Sequence, residues 1–291
     1  VSAQPTVANL NKLIGKPVGM VAAAPKPLLR LKLSLDSVNT DDIAIRLDNK
    51  TSAKYVRGED AADIGGNGNL VSLSSFSADS IGVPLAINNM PFPGVKPEIV
   101  RLAVGAASSG TYQLAIPRLA NLPALYNVWL KDAFTADSLK LTEGASYTFT
   151  VDKANAATFG NARFTLIIGQ DTAKAYKLLD FTATKTDHKT EVELVWKTAN
   201  EGNYTNFTVE RSEGRRKPFE VIVGMRSTDA GTYSILAKRP DNKKNFYRLK
   251  QVDINDSVTY SDVVEVKYAD KRDQYTHNLH IYPNPASHSI N

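Results

Sequence analysis

Leu28-Leu29-Arg30-Leu31-Lys32-Leu33-Ser34-Leu35-Asp36 is the stretch that decides the fold. Leu29, Leu31, Leu33 and Leu35 alternate with Arg30, Lys32, Ser34 and Asp36, and a period of two sends the leucines to one sheet face and the polar groups to the other. The same alternation recurs at Ile43, Ile45 and Leu47, at Val100, Leu102 and Val104, and at Tyr112, Leu114 and Ile116. It returns at Tyr126, Val128 and Leu130, at Tyr147, Phe149 and Val151, and at Phe164, Leu166 and Ile168. Turn signals separate the runs: Gly65-Gly66-Asn67-Gly68-Asn69, Pro91-Phe92-Pro93-Gly94 and Ser109-Gly110. No long amphipathic segment asks for a helix, so the reading is all-β, with a first antiparallel sandwich of jelly-roll-like character.

Working outward, residues 1–27 are rich in Ala, Pro, Gly and Lys with little periodicity, and read as an extended arm or linker. The first sandwich is expected over 28–172. The pattern relaxes between Asp171 and Lys177, and a second set of strands follows over 178–268. There Val192, Leu194 and Trp196 make one buried face opposed by Glu191, Glu193 and Lys197, and Phe207 and Val209 repeat the device. Several short runs with a Trp in the second fit a fibronectin type III or Ig-like sandwich. The charged stretch from Ala269 to Gln274 opens the last segment, 269–291, as a linker.

Composition narrows the function classes. The 291 residues are 42% hydrophobic and 22% charged, which is globular. The net charge of +5 is spread along the chain, with sixteen basic and fourteen acidic residues up to Thr172 and nineteen and sixteen beyond. A nucleic-acid binder concentrates its excess on one segment or face, so no nucleic-acid partner is expected. No apolar run is long enough for a membrane span. Cysteine is absent, which removes disulfides, thiolate nucleophiles and cysteine-ligated metals. The N-terminus carries no charged segment followed by an apolar one, so a signal peptide is expected to lie upstream of Val1 or to have been removed.

Several segments carry a resemblance. Trp196-Lys197-Thr198-Ala199-Asn200-Glu201, the run NFTVERSEG from Asn206 to Gly214, FYRLKQVD from Phe246 to Asp253 and TYSDVVEV from Thr259 to Val266 resemble a fibronectin type III-like spacer of Bacteroidetes surface proteins. The tail Tyr282-Pro283-Asn284-Pro285 is similar to the opening of the type IX secretion sorting signal that follows such spacers, although that signal ordinarily continues beyond the point where this chain stops. LRLKLSLDS (29–37), Asp41-Asp42, VWLKD (128–132), YTFTVD (147–152) and FGNARF (159–164) resemble a β-sandwich often found ahead of the spacer. The resemblance implies an extracellular or outer-membrane-surface location and the type IX secretion machinery as a partner, and it brings no catalytic residues.

The residues themselves offer few sites. Asp36, Asp41, Asp42 and Asp48, and separately Glu59, Asp60 and Asp63, supply hard oxygen ligands that could gather around Ca²⁺, the one cofactor candidate; solvated turn aspartates account for the same pattern. His277 and His280 have a chelating separation but lie in linker sequence, like His288, and His188 stands alone. Ser108-Ser109 lacks nucleophile-elbow spacing, and Arg215-Arg216-Lys217 reads as a solvated hairpin turn that could also dock an anion. Asp followed by Ser or Thr and an apolar residue occurs at Ser37, Ser80, Ser138, Thr172 and Ser257, where composition predicts about one such triplet. It resembles the O-glycosylation motif of Bacteroidetes exported proteins, and Asp-Ser is also good turn chemistry. Trp129 falls opposite the buried face of its run and is the candidate glycan contact. The expectation is a non-enzymatic secreted or cell-surface structural or adhesive protein, a subunit of a surface assembly in which the arm from Thr6 to Val21 is a candidate donor strand. The alternative is a carbohydrate-binding accessory region of a larger secreted hydrolase.

Overall fold

The computed structural model describes residues 8–9, 26–65, 70–79, 82–186, 191–202, 205–238 and 244–267. The fold is all-β, with single turns of 3-10 helix at Ala156–Thr158 and Thr172–Lys174. A two-residue strand β1 (Ala8–Asn9) is followed by β2 (Leu28–Ser34), β3 (Thr40–Leu47), β4 (Ala61–Ala62), β5 (Val71–Phe76) and β6 (Pro84–Met90). Then come β7 (Glu98–Ala106), β8 (Gly110–Ala120), β9 (Tyr126–Asp132), β10 (Asp137–Lys140), β11 (Ser146–Val151) and β12 (Gly160–Gln170).

Strands β2 to β12 make one continuous sheet in the order β10-β9-β12-β7-β5-β6-β3-β2-β8-β11, with β4 beside β6, and it departs from the expected antiparallel pairing at β3–β6, which is parallel. The sheet rolls over on itself. Phe149 of β11, at one end, packs edge-on against Phe164 of β12, near the other, at 4.8 Å between ring centroids. The enclosed core holds Leu29, Leu31, Leu33, Ile43, Ile45, Val100, Leu102, Val104, Tyr112, Leu114, Phe164 and Leu166, all at most 4% exposed. The two layers of the expected sandwich are therefore two halves of one sheet that turns its corner at β5 and β6. Leu35 lies past the end of β2 and only partly joins this core.

The remaining strands are β13 (Lys177–Lys185), β14 (Glu191–Ala199), β15 (Asn206–Ser212), β16 (Glu220–Arg226), β17 (Thr232–Lys238), β18 (Lys244–Val252), β19 (Val258–Tyr260) and β20 (Val264–Lys267). They form two sheets, β17-β14-β13 with β1 added on the outside of β17, and β16-β15-β18 with β19 and β20 on β18. A second core closes between them around Trp196, Phe207, Tyr233, Tyr247 and Leu249. Trp196 stacks on Tyr233 with centroids 5.3 Å apart, and Phe207 meets both rings. The two cores touch where Ile254 packs against the first and its carbonyl accepts a hydrogen bond from the Asn49 amide, which also reaches Asp256 at 3.0 Å. Asn200, held at φ 57°, donates its amide to the carbonyls of Ala173 and Ala175 in the connecting segment.

Candidate functional site

Two surfaces stand out, one built from side chains and one from backbone. On the first sheet, Trp129 of β9 lies opposite Ile167 of β12, which lies opposite Ile99 of β7. Their neighbours Val128, Val100, Leu166 and Ile168 point into the core, so the pleat forces this row onto the outer face. Trp129 is 39% exposed and Ile99 60%. One row over, Lys131, Thr165 and Arg101 stand in register, with Ser138 of β10 opposite Lys131. An apolar stripe ending in an indole thus runs beside two cations and two hydroxyls. That combination stacks on apolar faces and donates hydrogen bonds to oxygens or anionic groups.

The strand that carries Trp129 is fixed from within. Asp132, next on the inward side after Leu130, pairs with Arg163, and each side chain is 1% exposed. Arg163 donates from Nε to Oδ1 at 3.0 Å and from Nη2 to Oδ2 at 2.8 Å, while its Nη1 donates to the carbonyls of Thr150 and Thr158. The rings of Phe134, Phe149 and Phe164 surround the guanidinium. Asp132 also accepts from the Phe134 N–H and the Tyr147 hydroxyl. Burial opposes ionisation of this carboxyl, but Arg163 and those donors together outweigh it and hold its pKa below the usual value.

The second surface is the edge of β17. Tyr233, fully buried on this strand, donates its hydroxyl to Glu201 Oε2 and accepts from the N–H groups of Thr228 and Ala230. Glu201 further accepts from Ser227 Oγ at 2.7 Å, Thr198 Oγ1 at 3.0 Å and the Gly231 N–H at 2.5 Å. Gly231 has φ 70°, the left-handed region that a β-carbon would strain. Burial, then the hydrogen bond to Glu201, raises the Tyr233 pKa. Burial with the neighbouring Glu201 charge does the same to Tyr176 and Asp229, and burial alone raises Asp253.

The other sequence candidates are dispersed. Asp36 caps the turn after β2, accepting from the N–H groups of Val38 and Asn39, and those bonds lower its pKa. Asp41 and Asp42 are within β3 rather than on a loop; Asp41 accepts from the Leu73 N–H at 2.7 Å, and Asp42 pairs with Arg30. Asp48 follows the far end of the same strand and pairs with Lys26 at 2.6 Å. Strand length separates Asp48 from the rest, so the four do not converge on one ion. Asp60 is occupied by the Val56 and Asn89 N–H groups, and Asp63 by that of Gly65. Among the described residues no three His, Asp or Glu side chains form a metal-holding group.

Ser37, Ser138, Thr172 and Ser257 are exposed, and Ser80 lies outside the described residues. The aspartates ahead of them act locally. Asp137 accepts from the Ser138 N–H, Asp171 from that of Ala173, and Asp79 from Ser77 Oγ and the Gly82 N–H. Arg215, Arg216 and Lys217 are exposed in the turn between β15 and β16, and Ser109 Oγ accepts from the Lys153 N–H. His188, His277, His280, His288 and the tail motif Tyr282, Pro283, Asn284 and Pro285 lie outside the described residues.

No family model matches the chain, and no curated protein matches it. Among solved structures it is similar to the chicken interferon gamma receptor alpha chain, with 8% identity and a TM-score of 0.28 over 55% of this chain and 96% of that one. A cytokine receptor complex gives 9% and 0.28 over 54% and 90%, and the FN1–FN3 domains of chicken CNTN1 give 10% and 0.27 over 67% and 90%.

Sequence reading placed Trp129 on the outer face but missed its partners. Ile99 precedes the alternating run Val100, Leu102 and Val104, and Ile167 sits between two buried residues, so only strand pairing joins them. The Asp132–Arg163 pair left one usable signal. Asp132 continues the inward parity of Tyr126, Val128 and Leu130, where a charge needs a buried partner.

Proposed function

We propose that the chain is a non-enzymatic secreted or cell-surface module with a structural or adhesive role, a subunit of a surface assembly built from tandem sandwiches over 28–172 and 178–268. Export by the type IX machinery through Tyr282-Pro283-Asn284-Pro285 completes this reading, supported by the position of the motif after a spacer-like sandwich. The observation that carries the adhesive role is the in-register outer row Trp129, Ile167 and Ile99 with Lys131, Thr165 and Arg101 alongside. A water-facing row of this kind is favourable to cover, and the buried pair beneath β9 keeps it in one shape.

The same row favours a second reading, a glycan contact in which the indole stacks on a sugar face and the cations hold acidic or sulfated substituents. The test is binding of the full chain to intact bacterial and host surfaces and to a glycan array, with Trp129→Ala and Ile99→Ser alongside. Loss of binding in both variants, at an unchanged melting temperature, is the expected result. Binding that both variants retain overturns the role of this face. For the sugar sites at Ser37, Ser80, Ser138, Thr172 and Ser257, intact mass of natively produced protein is expected to exceed that of the bare sequence; equality contradicts it.

A further inference from the structure

The β1–β17 contact has a consequence for assembly. Ala8 pairs with Tyr233 and Asn9 with Ser234, in parallel, on the outer edge of the β17-β14-β13 sheet. Parallel strands cannot be joined by a tight turn, and the partners here are more than two hundred residues apart in sequence. Eighteen residues lie between Asn9 and Leu28, and a chain of that length can reach at most about 60 Å, which is long enough to serve a neighbouring copy.

Edges of this molecule differ in how they are protected. The opposite edge of the same sheet, β13, carries Lys177, Asp180 and Lys185 and a register shift between Leu178 and Asp180. In the first sheet, β10 is only four residues long and has Asp137 and Lys140. These are the devices that stop a strand from being extended by another chain. Strand β17, Thr232-Tyr233-Ser234-Ile235-Leu236-Ala237-Lys238, has no proline, a single charge at its end and an unbroken seven-residue register with β14. Its start is fixed by the Tyr233–Glu201 bond and the Gly231 N–H to Glu201, so the edge is organised before anything binds. Among the described residues β1 covers only two of its seven positions.

We propose that the outer edge of β17 is a strand-acceptor site and that in an assembly its occupant is the segment around Ala8–Asn9 of a second copy. The pairing within one chain is the closed form of the same contact. A tether of this length gives the intramolecular strand an effective concentration in the millimolar range, so exchange between copies takes over where chains are crowded. Each copy carries one donor and one acceptor, so exchange between copies is head-to-tail and extends into a fibre or closes into a ring, a reciprocal dimer being the smallest. This deepens the assembly part of the proposed function and leaves the Trp129 face untouched.

The chain has no cysteine, so engineered ones report without background. Neighbouring strands lie about 4.8 Å apart, inside the range a disulfide can bridge. Chains carrying only Asn9→Cys and only Ser234→Cys, each checked for the parent's thermal transition, are mixed at rising concentration, oxidised, and resolved by non-reducing electrophoresis and peptide mass spectrometry. The expected product is a 9–234 disulfide joining two chains, increasing with concentration and exceeding either homodimer. With Lys238→Cys in place of Ser234→Cys it drops at least several-fold. The idea is overturned if no 9–234 bridge forms between the singly substituted chains, or if a chain carrying both Asn9→Cys and Ser234→Cys forms only an internal bridge at every concentration. Neither result alters binding by the Trp129 face, so the two proposals fail separately.

Discussion

Strands β9 and β17 solve the same problem by opposite means. Both carry a surface turned to solvent, and both are anchored by a polar side chain turned inward. β9 is held by a full charge pair, Asp132 with Arg163, sealed among phenylalanines. β17 is held by the Tyr233 hydroxyl bonded to a Glu201 carboxylate that also gathers Ser227, Thr198 and Gly231. The first anchor is strong only while both charges are present. The second spreads its load over several neutral donors, so losing one leaves the others satisfied.

The sharpest way to break this comparison is Asp132→Ala. It leaves a buried guanidinium without its carboxylate, and the first core is expected to lose about 3–5 kcal/mol in urea unfolding. Replacing both partners, Asp132→Leu with Arg163→Met, is expected to recover most of that loss, because no charge then remains buried. Glu201→Ala strips several donors of their acceptor at once and should lower the stability of the second core by about 2–3 kcal/mol, with Tyr233→Phe removing about 1–2.

Acid separates the cores by sign. The lowered carboxyls Asp36, Asp48, Asp79 and Asp132 all lie in the first core's sequence, and the raised ones, Asp229 and Asp253, in the second. A carboxyl with a lowered folded pKa contributes stability that is present above the unfolded value and lost as pH falls through the folded one. A raised carboxyl takes up its proton in the folded state first, so between its folded pKa and the unfolded value of about 4 a fall in pH stabilises the fold. Thermal melts stepped down in pH should therefore show the second transition rising in that window, and the first falling once pH drops below about 4.

At the small end, Trp129→Ala is expected to change stability by less than about 1 kcal/mol, since the indole is substantially exposed on the outer face. Asp42→Ala should change it by no more than about 0.5 kcal/mol, because Arg30 and Asp42 pair in solvent with both side chains about half exposed.

How far the sequence led follows the same physics. Strands β2, β3, β7, β8, β9, β11 and β12 were legible because one face of each is buried and the other is wet, which writes a period of two into the chain. Strands β5 and β6 were not. Their buried positions include Ser75 and Asn88, which hydrogen-bond across the corner of the sheet at 3.4 Å, so apolar alternation fails where the sheet turns. Arg163 was hidden by a bulge: the register shift between Gly160 and Phe164 turns it inward beside Phe164, against the alternation on either side. Glu201 lies just past the end of β14, yet its partner Tyr233 is thirty-two residues away, and only the pairing of β14 with β17 in one sheet brings them together.

The central claim is that each surface rests on an anchor in its own core. The chain holds two tryptophans, Trp129 in the first sheet and Trp196 at the centre of the second core, so Trp129→Phe leaves a reporter of the second core alone. In that background, Asp132→Ala is predicted to bring forward a urea transition seen by far-UV circular dichroism while the Trp196 fluorescence midpoint stays in place, and Glu201→Ala is predicted to move that midpoint. A Trp196 midpoint that shifts with Asp132→Ala as far as the circular dichroism transition would contradict the account.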